Sequence, residues 1–475
     1  MRRHQKNRLS MKPVFSGTGS HHSAILLVIL LAAIWLYPTS GQADESISQE
    51  NPTPGSVDEV LTPIDISFME KLGLPGLFPR LKEKLQDTPP FFRDSKLDLN
   101  ARSFYFYKDN YDNKKNEAWA LGGALSYKSG WLADHFALGA VLYTSLPLYA
   151  PDDRDGTRLL AAEQEDYTSL GQIYGRIRFA GSNYLNLYRY EYNTPYLNKD
   201  DGRMSPKTFE GYTITGTQGK SGNKPTWQYG GGYITRIKDN NSDEFVWMSQ
   251  KAGAPIDRGV AVGGMTYNGE KITIGLVDYY CDDVLNIGYG EAKYITHFSE
   301  KLGLLTALQY SDQRSVGDDR QTGDSFSTGQ IGVKADMSYA GAIFTIGYTQ
   351  ADDGADLQKP WSSYPGYTSS QILDFNRADE KAVMLKLSYD FTSLGLDGVT
   401  AYTQFVQGWD RISLTPGKTV SDEHEIDFDL QWKPTKGILK GFWPRIRYAV
   451  ANEDDAGERY VHDFRVILNY DISFL

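Results

Sequence analysis

A chain of 475 residues would permit two or three soluble domains, yet no stretch in its middle reads as a linker between cores, so one large unit is expected. Its 49 basic against 60 acidic residues exclude a nucleic-acid binder, which needs a basic surface, and a single cysteine, Cys281, excludes a disulfide framework or a thiolate metal cluster. An aromatic content of 13%, with 32 Tyr, 46 Gly and a mean hydropathy of −0.46, suits a β-barrel with a polar lumen and aromatic girdles better than the core of a soluble enzyme.

In chain order, Arg2, Arg3, Lys6, Arg8 and Lys12 precede an apolar run over 24–37, and Gly41-Gln42-Ala43 offers a small-residue cleavage site. This layout predicts a secretory signal peptide over residues 1–43. The run of 14 residues is short of the roughly 20 that a membrane-spanning helix needs. Met11 provides a second possible start. After cleavage, 44 basic residues face 60 acidic ones. No later apolar run approaches spanning length, which excludes a helical membrane protein.

Residues 44–90 read as a short periplasmic N-terminal extension, acidic and Pro-containing at first. Over 68–85, Phe68, Leu72, Leu74, Leu77 and Leu81 share a face that Pro75 and Pro79 interrupt, which predicts one or two helical turns. A plug, an assembly handle and a plain tail all remain open for this segment.

Residues 91–475 alternate strictly. Ile331, Val333, Ala335, Met337 and Tyr339 share one face, while Gln330, Lys334, Asp336 and Ser338 share the other. Ile426, Phe428, Leu430 and Trp432 likewise alternate with Glu425, Asp427, Asp429 and Gln431. Val383, Leu385, Leu387 and Tyr389 do so with Lys386 and Ser388. One such run would fit a soluble core, but its recurrence predicts about eighteen strands with one apolar and one hydrophilic face. Short links at 129–130, 180–183, 268–270 and 340–341 alternate with long polar links at 147–168, 192–207, 238–258, 313–326 and 350–380. Tight turns at one end and long loops at the other are expected of an all-β, antiparallel transmembrane β-barrel in the outer membrane of a Gram-negative bacterium. A barrel of this size encloses an aqueous channel. The last strand carries Phe464, Val466, Leu468, Tyr470, Ile472 and Phe474 on its apolar face, with the aromatic one place before the terminal Leu475.

Several ordered motifs carry a family resemblance. They are an opening strand over 92–105, Asp201-Gly202-Arg203-Met204-Ser205-Pro206-Lys207-Thr208-Phe209-Glu210-Gly211, Gln309-Tyr310-Ser311-Asp312-Gln313, Pro360-Trp361 with Pro365-Gly366-Tyr367-Thr368-Ser369, and Tyr389-Asp390-Phe391 before Gly395-Leu396. Together they resemble the OprD family of outer-membrane porins from about Phe92 to Leu475. The long extension before the first strand and the acidic cluster Asp278, Asp282 and Asp283 depart from that family. The resemblance implies an eighteen-stranded channel whose third and seventh external loops fold inward, with basic wall residues guiding carboxylates. Counted here, those loops are 192–207 and 350–380.

Parity assigns Arg445, Arg447, Arg465 and Arg102 to the lumen, on three strands made adjacent by barrel closure, and Arg176 and Arg178 to a second group. Each is either part of a guiding file or an ordinary wall residue paired with a carboxylate such as Asp98. Asp201 and Arg203 either face the constriction or brace their own loop. Pro360, Trp361, Pro365 and Tyr367 are read as stiffening the longest loop. No cofactor or metal site is expected, since His135, His297, His424 and His462 are scattered and no nucleotide-binding or nucleophile motif occurs. The predicted function is passive diffusion of small polar solutes, carboxylates or amino acids among them. The rival is an outer-membrane barrel protease or lipase, for which His424 between Glu423 and Glu425 is the best available site. A third reading, an adhesion or assembly barrel, calls for a filled lumen. The expected partners are outer-membrane lipid, solute and the barrel-assembly machinery, with the oligomeric state left open.

Overall fold

The computed structural model describes residues 83–219, 225–414, 420–437, 439–452 and 460–475. The expected signal peptide and nearly all of the N-terminal extension lie outside the described residues. The described strands are β1 (Lys96–Asp109), β2 (Lys115–Lys128), β3 (Phe136–Tyr149), β4 (Tyr167–Phe179), β5 (Asn183–Tyr190), β6 (Thr208–Gln218), β7 (Thr226–Lys238), β8 (Phe245–Trp247), β9 (Val260–Asn268) and β10 (Ile272–Cys281). They continue with β11 (Leu285–His297), β12 (Leu302–Arg314), β13 (Ser327–Tyr339), β14 (Ala342–Ala351), β15 (Lys381–Asp390), β16 (Val399–Trp409), β17 (Glu423–Trp432), β18 (Phe442–Asn452) and β19 (Val461–Ser473).

Every barrel strand pairs antiparallel with its chain neighbours, and β1 pairs with both β2 and β19, which closes the sheet. Closure leaves no unpaired edge for the membrane to solvate, the condition a spanning sheet must meet. The three-residue β8 pairs only with the end of β7, while β7 continues its ladder with β9, so eighteen strands form the barrel.

Burial along β17 shows which way the faces point. Glu425, Asp427 and Asp429 are 0%, 1% and 3% exposed, whereas Ile426, Phe428 and Leu430 are 38%, 51% and 48% exposed. Acids inside and apolar side chains outside are the inverse of a water-soluble protein, and they suit a barrel whose outer surface meets lipid. Among the described residues no helix is long and apolar enough to cross a membrane.

The connections alternate as expected, with refinements. The link at 340–341 is a two-residue hairpin in which Ala340 (φ 48°) and Gly341 (φ 89°) both take positive φ, the conformation that matches strand twist. The expected link at 129–130 is longer, filling 129–135. Its backbone turns through positive φ at Ala133 and Asp134 before a Leu132–Phe136 bridge, and the Ser129 hydroxyl accepts from Leu138 N at 2.8 Å. The opening strand begins at Lys96 rather than 92, because Pro90–Arg93 form a helical turn with proline at its start, where the missing N–H costs nothing.

Candidate functional site

At the long-loop end, the third connection (191–207) and the seventh (352–380) turn into the barrel. Tyr196 is fully buried. Its backbone N–H donates to the Tyr279 hydroxyl at 3.2 Å and its own hydroxyl donates to Ser311 at 2.9 Å, while the rings of Tyr279, Tyr289 and Tyr364 pack edge-on at 6.0 to 6.2 Å. The two loops also meet directly, since Ser363 N donates to Asn198 Oδ1 at 3.3 Å and Lys207 Nζ to Ser362 O at 3.4 Å. Trp361, buried completely, ties the seventh loop to the fourth connection by donating from Nε1 to Met248 O at 2.9 Å.

The seventh loop reaches across the lumen. On one wall, Tyr367 donates to Glu291 of β11 at 2.8 Å and Tyr364 to Gln330 of β13 at 2.7 Å. On the far wall, Ile372 N and Leu373 N donate to the Glu425 carboxylate of β17 at 2.8 and 2.7 Å, and Gln371 Nε2 donates to Asp463 of β19 at 2.9 Å. In the eighteen-strand ring β11 lies six strands from β17 and eight from β19, so the loop bridges the channel. Tyrosines and loop residues pack one continuous cluster against β4 to β7, β9 to β11 and β14, while smaller clusters pack the second and third connections against β1 and β2 and the seventh against β15, β16 and β18.

The arginines named from parity stand as follows. Arg102 donates bidentately to Asp201 (2.7 and 3.1 Å), to Asn469 at 2.8 Å and to Arg203 O at 2.5 Å, so a wall guanidinium holds the end of the third loop. Arg447 lies directly opposite Arg465 in the β18–β19 register. Arg445 and Arg447 share a single carboxylate, Asp429, at 2.7 and 3.0 Å. Arg465 takes Asp463 bidentately at 2.8 and 2.7 Å and stacks over Phe106 at 4.6 Å. Arg176 and Arg178 sit apart from these, nearer the short-turn end of β4. Arg176 lies over Tyr184 at 3.9 Å, and Arg178 lies over Trp131 at 4.6 Å with Asp134 at 3.6 Å.

Asp201 is engaged by Arg102, while Arg203 donates to Thr157 O at 2.9 Å and Gly202 O at 2.7 Å and lies over Phe106 at 5.1 Å. Burial, followed by the charges of Arg465 and Arg158, pushes the Arg203 guanidinium below its ordinary range. Two lysines that the parity reading passed over join the wall. Lys386 sits over Tyr402 at 4.1 Å and Lys433 over Trp443 at 4.0 Å. Lys386 was visible in the alternation of β15, but its aromatic partner on the next strand was not.

At the root of the seventh loop, Glu380 is fully buried, accepts from Arg377 N at 2.9 Å and lies beside Glu423, which pairs with Arg411. Burial first, and then the Glu423 charge, raise the Glu380 pKa far above the usual carboxylate range. A carboxyl whose folded pKa is raised stabilises the fold at low pH, and that contribution is lost as pH rises through the raised value. The unfolding temperature in detergent is therefore expected to fall between about pH 5 and about pH 9 in the parent protein and to change less in Glu380→Gln. Equal slopes would show that the pair does not titrate in this window.

The enzyme rival's best site does not assemble. His424 faces the ring of Tyr460 at 6.0 Å, while Glu423 and Glu425 on either side point into the lumen, as strand alternation requires. Among the described residues no cluster of three or more metal-ligating side chains occurs.

Comparison with known proteins agrees with this architecture. Residues 89–474 match the family described as outer membrane porin, OprD family. Porin D of Pseudomonas aeruginosa is 20% identical over 419 residues, covering 81% of this chain and 92% of that protein. The porin-like protein GalP of Pseudomonas putida is 21% identical over 411 residues, covering 81% and 93%. Among solved structures, Pseudomonas aeruginosa OccK9 (OpdG) superposes with a TM-score of 0.73 at 25% identity, covering 81% of this chain and all of that one. OpdK from the same species, solved with vanillate, gives 0.70 at 22%, with the same coverage. With the closed barrel, the inward loops and a family match that spans nearly the whole described chain, this protein belongs to the OprD family of outer-membrane porins.

Proposed function

We propose that this porin favours small carboxylate-bearing solutes, amino acids included, and that they pass along the wall formed by β15 to β19 and β1. The carrying observation is the charge balance at Asp429, where one carboxylate serves both Arg445 and Arg447 while Lys386 stands nearby over an aromatic ring. Two guanidiniums on one carboxylate, with Lys386 near and Asp427 the next lumen acid along β17, concentrate cations at this point of the wall, and in a low-dielectric pore such a cluster attracts anions. Guanidinium forks suit carboxylates, and because the existing ion pairs already occupy part of each fork, a passing solute is held weakly enough to leave. Arg465 and Arg102, engaged by Asp463 and Asp201, orient the neighbouring groups and add little net charge.

OpdK's vanillate, a carboxylate, makes a practical probe. Liposome swelling with vanillate and with a neutral sugar of similar size compares the parent protein with the triple variant Arg445→Gln, Arg447→Gln, Arg465→Gln. Vanillate entry is expected to slow severalfold and sugar entry to stay nearly constant. Equal rates for both solutes in both proteins would mean that the preference, if present, resides elsewhere in the lumen.

A further inference from the structure

Two arginines on the outside of the barrel have no part in the pore. Directly opposed residues on antiparallel strands point to the same side. One such row across β5, β6 and β7 is Leu187–Tyr212–Tyr233, and the next row toward the long loops runs Ile173–Arg189–Glu210–Arg236–Trp247 from β4 to β8. Leu187, Tyr212 and Ile173 are exposed apolar or aromatic side chains of the lipid-facing surface, so Arg189, Glu210 and Arg236 face lipid too. The tyrosine row marks the membrane interface, where such rings concentrate. The arginine row therefore sits at headgroup depth, on the external side.

The local chemistry is unbalanced. Arg189 takes Glu210 at 2.8 Å, but Arg236 comes no closer than 3.9 Å to that carboxylate and makes no side-chain hydrogen bond among the described residues. Their side chains remain 25% and 43% exposed. Aromatic faces cover them, Phe245 at 4.0 Å and Tyr188 at 5.2 Å from Arg189, and Trp247 at 5.0 Å from Arg236. Phe245 and Trp247 are the two ends of β8, the strand that stands outside the barrel count and pairs only with β7. That short strand thus caps the arginines.

We propose that Arg189 and Arg236 form a binding site for the phosphate of one outer-leaflet lipid. Two guanidiniums against one carboxylate keep a net positive charge at the depth where lipid phosphates lie. The free fork of Arg236 can take two phosphate oxygens, and the flanking rings pack beside the lipid's apolar part.

Native mass spectrometry of the detergent-purified porin, offered bis-phosphorylated lipid A, the same lipid stripped of phosphate, or inorganic phosphate as competitor, tests this. The phosphorylated lipid is expected to be retained about tenfold more strongly than the stripped one, and inorganic phosphate is expected not to displace it. Arg189→Gln with Arg236→Gln should abolish that difference, whereas Glu210→Gln, which raises the net charge, should keep or strengthen it. Pore conductance should be unchanged in both. Equal retention of the two lipids, displacement by inorganic phosphate, or a loss in Glu210→Gln as large as in the double variant would each overturn the site. The lipid pair and Glu210→Gln decide the matter even if the double variant does not fold.

Discussion

Single-channel conductance is expected to rise severalfold when residues 361–375 are replaced by a short glycine-serine link. The loop they belong to is anchored on β11 and β13 through Tyr367 and Tyr364 and on β17 and β19 through Ile372, Leu373 and Gln371. Removing a bridge between opposite walls widens the narrowest section, and ionic current follows that section. The barrel itself should remain folded, because its ladders run continuously from β1 to β19 without the loop. A milder change separates seating from mere bulk. Trp361→Ala removes a fully buried ring and its bond to Met248 O, a loss of about 3–5 kcal/mol for a buried tryptophan. The loop should then leave its seat intermittently, giving a flickering current between the parent and the widened level. Unchanged conductance in the deletion would place the loop clear of the path.

Much of the barrel was legible because a strand's period of two is written in consecutive residues. Ile426 to Leu430 against Glu425 to Asp429 shows the lipid and lumen faces without any knowledge of neighbours, and the link at 340–341 shows the hairpin. Local backbone chemistry blurred two boundaries, where Pro90 starts a helical turn and where Ala133 and Asp134 prolong a turn.

Partnerships were harder to read. Arg102 shares its face with Asp98, yet its carboxylate is Asp201, 99 positions away and delivered by an inward loop. Glu425 looks like one more wall acid, but it is the acceptor for two backbone amides 52 and 53 positions earlier. The lumen position of an arginine follows from parity, whereas the acid that neutralises it depends on strand register and loop folding. Of the two readings the sequence leaves open, a guiding file or wall arginines paired with carboxylates, the pairs are what Arg102, Arg445, Arg447 and Arg465 make, with two guanidiniums on one carboxylate where Arg445 and Arg447 share Asp429.

That shared carboxylate gives the second large effect. Arg447 faces Arg465 across the β18–β19 ladder with Arg445 beside them, so three guanidiniums, of which Arg465 is offset by Asp463, stand on two adjacent strands along the proposed path. Replacing all three with Gln keeps donors for Asp429 and Asp463 while removing the charges, and the unopposed carboxylates reverse the local sign. At physiological salt the screening length is about 8 Å, so acids on the external loops contribute little to the field at this wall.

The most direct test is the reversal potential of single pores in a planar bilayer under a salt gradient, measured for the parent protein and for the triple variant Arg445→Gln, Arg447→Gln, Arg465→Gln. Discrete open-pore currents are expected in both, with the variant's reversal potential displaced clearly toward the cation equilibrium value. Identical reversal potentials would contradict this, showing that ions do not pass along the arginine-bearing wall.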